Sequence, residues 1–213
     1  MTDAAQFGQS SCNVRALQAP LRTGYVQTPS DAAVTDLAWT ECGDSADPMS
    51  GRVHFGSHAT AQLDYGVHRA IGGTHIAPVP GDLLCAALAS CQESSLRMVA
   101  NVLGVRLLEL RVEVRAVVDV RGTLGMNAQV PVGFQSMHVS VRLRPAPETQ
   151  PARLRQMLRA AERACVVLQT LRDGVATTVD IDLPAALHSP TRIDPGPTPV
   201  SGFFQRRNQG ATS

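Results

Sequence analysis

Two cysteines pose the chemical question in this chain. Cys91 follows the apolar run Leu83 to Ala89 and is followed at once by Gln92, Glu93, Ser94 and Ser95. Cys165 stands 74 residues later, in Ala161-Glu162-Arg163-Ala164-Cys165-Val166-Val167. A thiolate is a strong nucleophile, and a second thiol within reach turns its oxidised product into a disulfide. The two do not form a Cys-x-x-Cys motif, so only the packing of their segments would bring the sulfurs together. The competing reading is structural: free cysteine is among the most buried residue types and fills a core as a small hydrophobe. Cys85, on a different side of the same segment as Cys91, reads as core. Cys12 and Cys42 have no visible partner.

The histidines are weaker candidates. His54 and His58 are four apart, a metal-ligand spacing only on a helix, and the glycine and β-type residues around them argue for strand. His68 and His75 precede the apolar run and could serve a Cys–His nucleophile, but no third orienting group is evident. No dinucleotide or phosphate loop and no serine nucleophile elbow occurs. Neither a metal nor a cofactor is expected.

The elements that must position the thiols follow from periodicity. Val79 to Gly104 reads as one long helix: Pro80 suits a first turn, Asp82 favours the positive end of the dipole, and Gly104 is a left-handed stop. Between Leu83 and Ala89 no side chain is polar, so that half is expected to be buried on all sides. Cys165 falls on a second helix starting near Gln150-Pro151, whose stripe is Leu154, Leu158, Ala161, Cys165 and Leu168. Arg153, Arg155, Arg159 and Arg163 lie mainly off it, and Val166-Val167 is expected to loosen the helix.

Between the helices the period becomes two. Leu108 to Val120 and Phe134 to Arg144 alternate apolar and polar, an antiparallel strand pair across a turn at 122–133. Before the long helix, Val34–Thr40 and Gly51–Asp64 read as strands and Val67–Ile71 as a short edge strand. Asn13–Ala19 reads as a helix ended by Pro20, and Val175–Leu183 as a last alternating strand. The expected organisation is an N-terminal extension at 1–33, one α+β domain with antiparallel sheet at 34–185, and a mobile tail at 186–213.

Composition narrows the partners. A net charge of +1 makes no electrostatic case for nucleic acid or an acidic membrane. No apolar run reaches the ~20 residues that span a bilayer, and the N-terminus lacks the basic start and apolar core of a secretory signal. Five scattered cysteines in 213 residues fit a reducing cytoplasm better than secretion.

Two segments resemble the signatures of the OsmC/Ohr family. Pro80-Gly81-Asp82-Leu83-Leu84 … Ala89-Ser90-Cys91 is similar to its Asn-Pro-Glu-x-Leu … Ala-Ala-Cys segment. Ala161 to Val167, followed by Leu171-Arg172-Asp173-Gly174-Val175, resembles its Cys-Pro-Val signature and the Gly-Val strand start. The likeness extends in element order over roughly Val34 to Leu183. It implies an intertwined homodimer, with bent antiparallel sheets enclosing long central helices. It also implies a thiol peroxidase acting on organic hydroperoxides, reopened by a dithiol reductant. By that resemblance Cys91 attacks the peroxide and Cys165 resolves its sulfenic acid.

The same resemblance asks for a cation, because a buried thiol is hard to ionise without one and Cys91 is too deep in its helix for the dipole to act. Arg52 is the closest match to the family's activating arginine, with Arg69 second. The family's arginine-holding glutamate falls on Gly81, with Asp82 its acidic neighbour, and Val166 replaces the proline after the second cysteine. Two other functions stay open: a non-catalytic binder of an apolar small molecule or redox sensor, and a Cys–His hydrolase using His68 or His75.

Overall fold

The structure is a computed structural model that describes residues 12–41, 46–57 and 61–182. By its internal contacts the chain divides into residues 1–168 and 169–213, and the first unit holds the core. The long helix is there as expected: α2 spans Pro80–Leu103. Asp82 Oδ2 accepts the Val79 N–H at 3.0 Å, filling a donor that a helix start leaves open. At the other end Gly104 has φ 65°, the left-handed turn that a Cβ would disfavour.

One face of α2 is buried through Leu88, Gln92, Ser95, Leu96 and Ala100, spaced by three and four as a helical stripe must be. The second helix, α4 (Pro151–Ala164), packs on that face together with β4 (Leu107–Val117). Their meeting forms the core: Leu96, Ala100, Val105, Met157 and Ala161, flanked by Leu107, Leu110, Val112, Leu143 and Leu154. β4 pairs antiparallel with β5 (Ser136–Pro145), with a bulge at Leu107/Glu109. That extra residue lets Leu107 as well as Leu110 reach the core. A separate antiparallel sheet has the order β1 (Ala38–Glu41), β2 (Ser50–Phe55), β3 (Ala61–Gly66). The fold is thus α+β with antiparallel sheets, as periodicity requires.

Several expectations need correction. The apolar half of α2 is not buried on all sides: Leu88 is, but Leu83, Leu84 and Cys85 are half-buried and Ala86 and Ala87 exposed. One helix and one strand pair cover one face, and the rest is left partly uncovered by the described residues. The buried stripe of α4 runs through Met157, while Leu158 is 36% exposed. A helix of 3.6 residues per turn presents 154, 157, 161 and 165 together, and 158 falls at their margin. All four arginines are exposed.

The N-terminal helix α1 (Val14–Gln27) continues through Pro20, which removes one backbone bond without ending it. Asn13 caps it, and Asn101 of α2 holds its start, accepting from Val14 N at 2.9 Å and donating to Cys12 O at 2.9 Å. The first strand is shorter than its alternation, beginning at Ala38. Residues Arg69–Ile71 form a 3₁₀ turn rather than an edge strand, and Val120–Thr123 forms a helical turn, α3, capped by Asp119.

The helix following Cys165 is α5 (Val166–Asp173). Beyond it, residues 174–182 form no strand, and Val175, Val179 and Ile181 are more than half exposed. Alternation marks a segment that needs a neighbouring strand edge, and among the described residues none is paired with it. Leu183 and the tail expected at 186–213 lie outside the described residues, as do Cys42 and His58.

Candidate thiol site

α4 ends at Ala164, and Cys165 takes an extended conformation with φ −81° and ψ 100° before α5 begins. The helix breaks at the cysteine itself, one residue before the expected loosening at Val166-Val167, and those valines open α5. Cys165 therefore occupies the N-cap of α5. Its sulfur takes hydrogen bonds from the Leu168 and Val167 N–H groups, the donors that a helix start exposes. It is 0% exposed.

The packing of α2 on α4 brings Cys91 to it, close enough for the two thiols to perturb each other. Both are free, and Cys91 is the more accessible. Burial pushes the Cys165 thiol above its ordinary value; the Leu168 N–H works against this, Cys91 adds to it, and the Val167 N–H works against it again. Cys165 therefore favours its protonated form. The arrangement suits two-electron thiol chemistry: an accessible sulfur and a protected one beside it.

The other expected site residues lie elsewhere. Arg52 Nε donates to Asp64 across β2 and β3 at 2.6 Å, where the pairing register sets them opposite. Both are exposed. Arg69 Nε donates to the Thr74 carbonyl at 2.9 Å. Asp82, besides capping α2, meets His75 Nε2 at 3.2 Å. Among the described residues no ion pair or hydrogen bond joins Arg52 to Asp82.

The Asp82–His75 pair depends on backbone that sequence reading did not anticipate. His75 has φ 53°, a left-handed conformation uncommon outside glycine but enriched for histidine. The turn before it needs Gly73, where an added Cβ would lie 2.0 Å from the Val67 carbonyl oxygen. The ring of His68 lies 4.8 Å from that of His75. His68 and Asp82 border a cleft of about 800 Å³ walled by Val67, Val79, Val114, Val117 and Phe134. Cys85 lines it, half-buried rather than core; burial and then the charge of Asp82 push its thiol above the ordinary value. Gly81 lies under Phe134, whose Cζ would be 3.0 Å from a Cβ at that position. An aromatic ring thus occupies the space beside the position where the family carries its glutamate.

His54 is 7% exposed and stacks on Trp39 with centroids 4.1 Å apart, on a sheet strand rather than a helix. Among the described residues no group of three or more His, Cys, Asp or Glu side chains could hold a metal ion. No helix there is long and apolar enough to cross a membrane. Sequence reasoning passed over Gln92 and Ser95 as ordinary polar residues, yet both are buried, within one turn of Cys91 on α2. The available signal was their place on the α2 stripe.

Comparison with solved structures agrees with this architecture. An OsmC-like protein from Mycoplasma pneumoniae aligns over 67% of this chain and 89% of its own, at 13% identity and TM-score 0.52. An OsmC-like protein of unknown function from Vibrio cholerae aligns over 65% and 94%, at 10% identity and TM-score 0.53. An organic hydroperoxide resistance protein from Legionella pneumophila aligns over 65% and 90%, at 21% identity and TM-score 0.45. No curated protein matched the sequence. The family model described as OsmC-like protein matches residues 72–180, half of the chain and both cysteine segments. The chain belongs to the OsmC-like family.

Proposed function

We propose that this protein is a thiol-dependent peroxidase that reduces organic hydroperoxides, with Cys91 as attacking thiolate and Cys165 as resolving thiol. The observation that carries this reading is the meeting of two free thiols 74 residues apart in sequence. The roles follow from their difference. Peroxide must reach the attacking sulfur, and Cys91 is the accessible one. Cys165, fully buried and protonated, is shielded from direct oxidation and lies where it can displace hydroxide from a sulfenic acid on Cys91. A disulfide needs its Cα atoms within about 7 Å, which is also the demand that helix packing must meet. A dithiol then restores the reduced pair.

Peptide mapping after one equivalent of cumene hydroperoxide tests the reading. A 91–165 disulfide is expected in the wild type, and a persistent Cys91 sulfenic acid without any bridge in Cys165→Ser. Both thiols remaining free in the wild type would overturn it. The apolar cleft, which Cys91 does not line, favours a second reading as an apolar small-molecule binder. The hydrolase reading gains an orienting carboxylate for His75, but Asp82 also helps keep the Cys85 thiol protonated.

The exposed Ala86 and Ala87 and the half-covered Leu83 and Leu84 support a homodimer that completes the enclosure of α2. Size analysis should give twice 22.6 kDa, and a monomer that persists at micromolar concentration would refute this. Free cysteines throughout the described residues support a cytoplasmic setting.

A further inference from the structure

Gln92 follows Cys91 on α2 and is 7% exposed, and its Oε1 is buried with no hydrogen-bond donor among the described residues. Buried acceptors are nearly always paired, since one kept from water without a donor destabilises the fold. Its place in the packing is specific. In the core, Leu96 and Ala100 of α2 meet Met157 and Ala161 of α4. One turn back along α2 and one turn on along α4 lead to Gln92 and Cys165. Arg153, at the start of α4, donates to the Leu103 carbonyl at the end of α2, so the helices run antiparallel and Gln92 is level with Cys165, beside which Cys91 lies.

An acceptor without a donor, set beside a thiol pair, fits a ligand that brings its own proton. A hydroperoxide carries one on its terminal oxygen, the atom that a thiolate attacks. Building on the peroxidase reading, we propose that Gln92 Oε1 accepts the terminal O–H of the bound hydroperoxide and then the S–O–H of the Cys91 sulfenic acid. In the first step the Cys91 thiolate forms an S–O bond as the O–O bond breaks, giving Cys91–SOH and an alkoxide that takes a proton from solvent. Sulfur is oxidised by two electrons and the hydroperoxide is reduced to the alcohol. In the second step the Cys165 sulfur attacks Cys91, the S–S bond forms, and the oxygen leaves as water with the Cys165 proton. The Gln92 carbonyl holds the same oxygen from its arrival until it departs.

Gln92→Met tests this, because methionine nearly preserves shape and removes the acceptor. Three quantities separate the outcomes: rapid-quench oxidation of the reduced protein by cumene hydroperoxide, iodoacetamide alkylation of Cys91, and melting temperature. Oxidation is expected to slow at least tenfold, with alkylation within twofold of wild type and the melting temperature equal or higher, since the orphan oxygen is gone. Gln92→Leu, a second acceptor-free variant, must show the same split. Oxidation within twofold of wild type, or equal losses of oxidation and alkylation, would overturn the proposal while leaving the peroxidase reading intact. A wild type inert to hydroperoxide would overturn both.

Discussion

Replacing Cys165 by alanine and by serine separates its two duties, as redox partner and as helix cap. The sulfur is fully buried and accepts the first free N–H groups of α5. Alanine removes the acceptor, which for a lost N-cap costs about 1 kcal/mol. It also removes a buried atom about the size of a methylene and leaves a small void, roughly another 1 kcal/mol. The sum is about 2 kcal/mol, which in a chain of this size lowers the melting temperature by about 4–8 °C. Serine keeps an acceptor for Leu168 and Val167, so most of that loss should be absent. Thermal melts followed by circular dichroism at one fixed protein concentration measure the difference. Both variants should fail to form the 91–165 bridge, so redox loss is common to them and only stability distinguishes them. If alanine and serine variants melt within about 1 °C of each other, the sulfur is not capping α5, and the account of the break at Cys165 is wrong.

Alkaline pH gives a second test. Cys165 binds its proton more tightly folded than unfolded, so its contribution is complete below the ordinary thiol value and is lost as pH rises through the raised one. Melting of the wild type should decline faster above about pH 9 than that of Cys165→Ser; parallel curves would refute the direction. Gly81→Glu should lower the melting temperature, because its Cβ would crowd the ring of Phe134. Adding Phe134→Ala should recover part of the loss in the same melts. Arg52→Ala breaks an exposed pair and should barely affect melting. If Arg52 is the activating cation, this variant slows Cys91 oxidation by cumene hydroperoxide; an unchanged rate removes it from the mechanism.

The helices and strands were largely legible because their signals are local. Pro80, Asp82 and Gly104 delimit α2 on steric and hydrogen-bonding grounds that need no tertiary context. The alternation from Leu108 and from Met137 gives the paired strands their faces. The errors share one cause, which is that periodicity states what an element needs, not whether the chain supplies it. Residues 175–181 alternate as a strand must, yet no edge among the described residues is paired with them. Leu83 to Ala87 are apolar as a buried helix must be, yet they remain partly uncovered. Pro20 failed as a stop because one missing N–H does not undo a helix whose start is held by Asn13 and Asn101.

The thiol pair and the charges around it differ in legibility for a related reason. Cys91 and Cys165 each lie at a recognisable point of their helices, so two local signals and one packing event suffice to bring them together. The pairing of Arg52 with Asp64 depends on the register between β2 and β3. The pairing of Asp82 with His75 depends on one left-handed residue and on a carbonyl approach that only Gly73 permits. A one-residue change in either loop would redirect those charges without altering any periodicity. The placement of the two sulfurs is therefore fixed by the helices, and the placement of these charges by the loops. Gln92 belongs with the helices: its position on the buried stripe follows from the same spacing as Leu88 and Leu96.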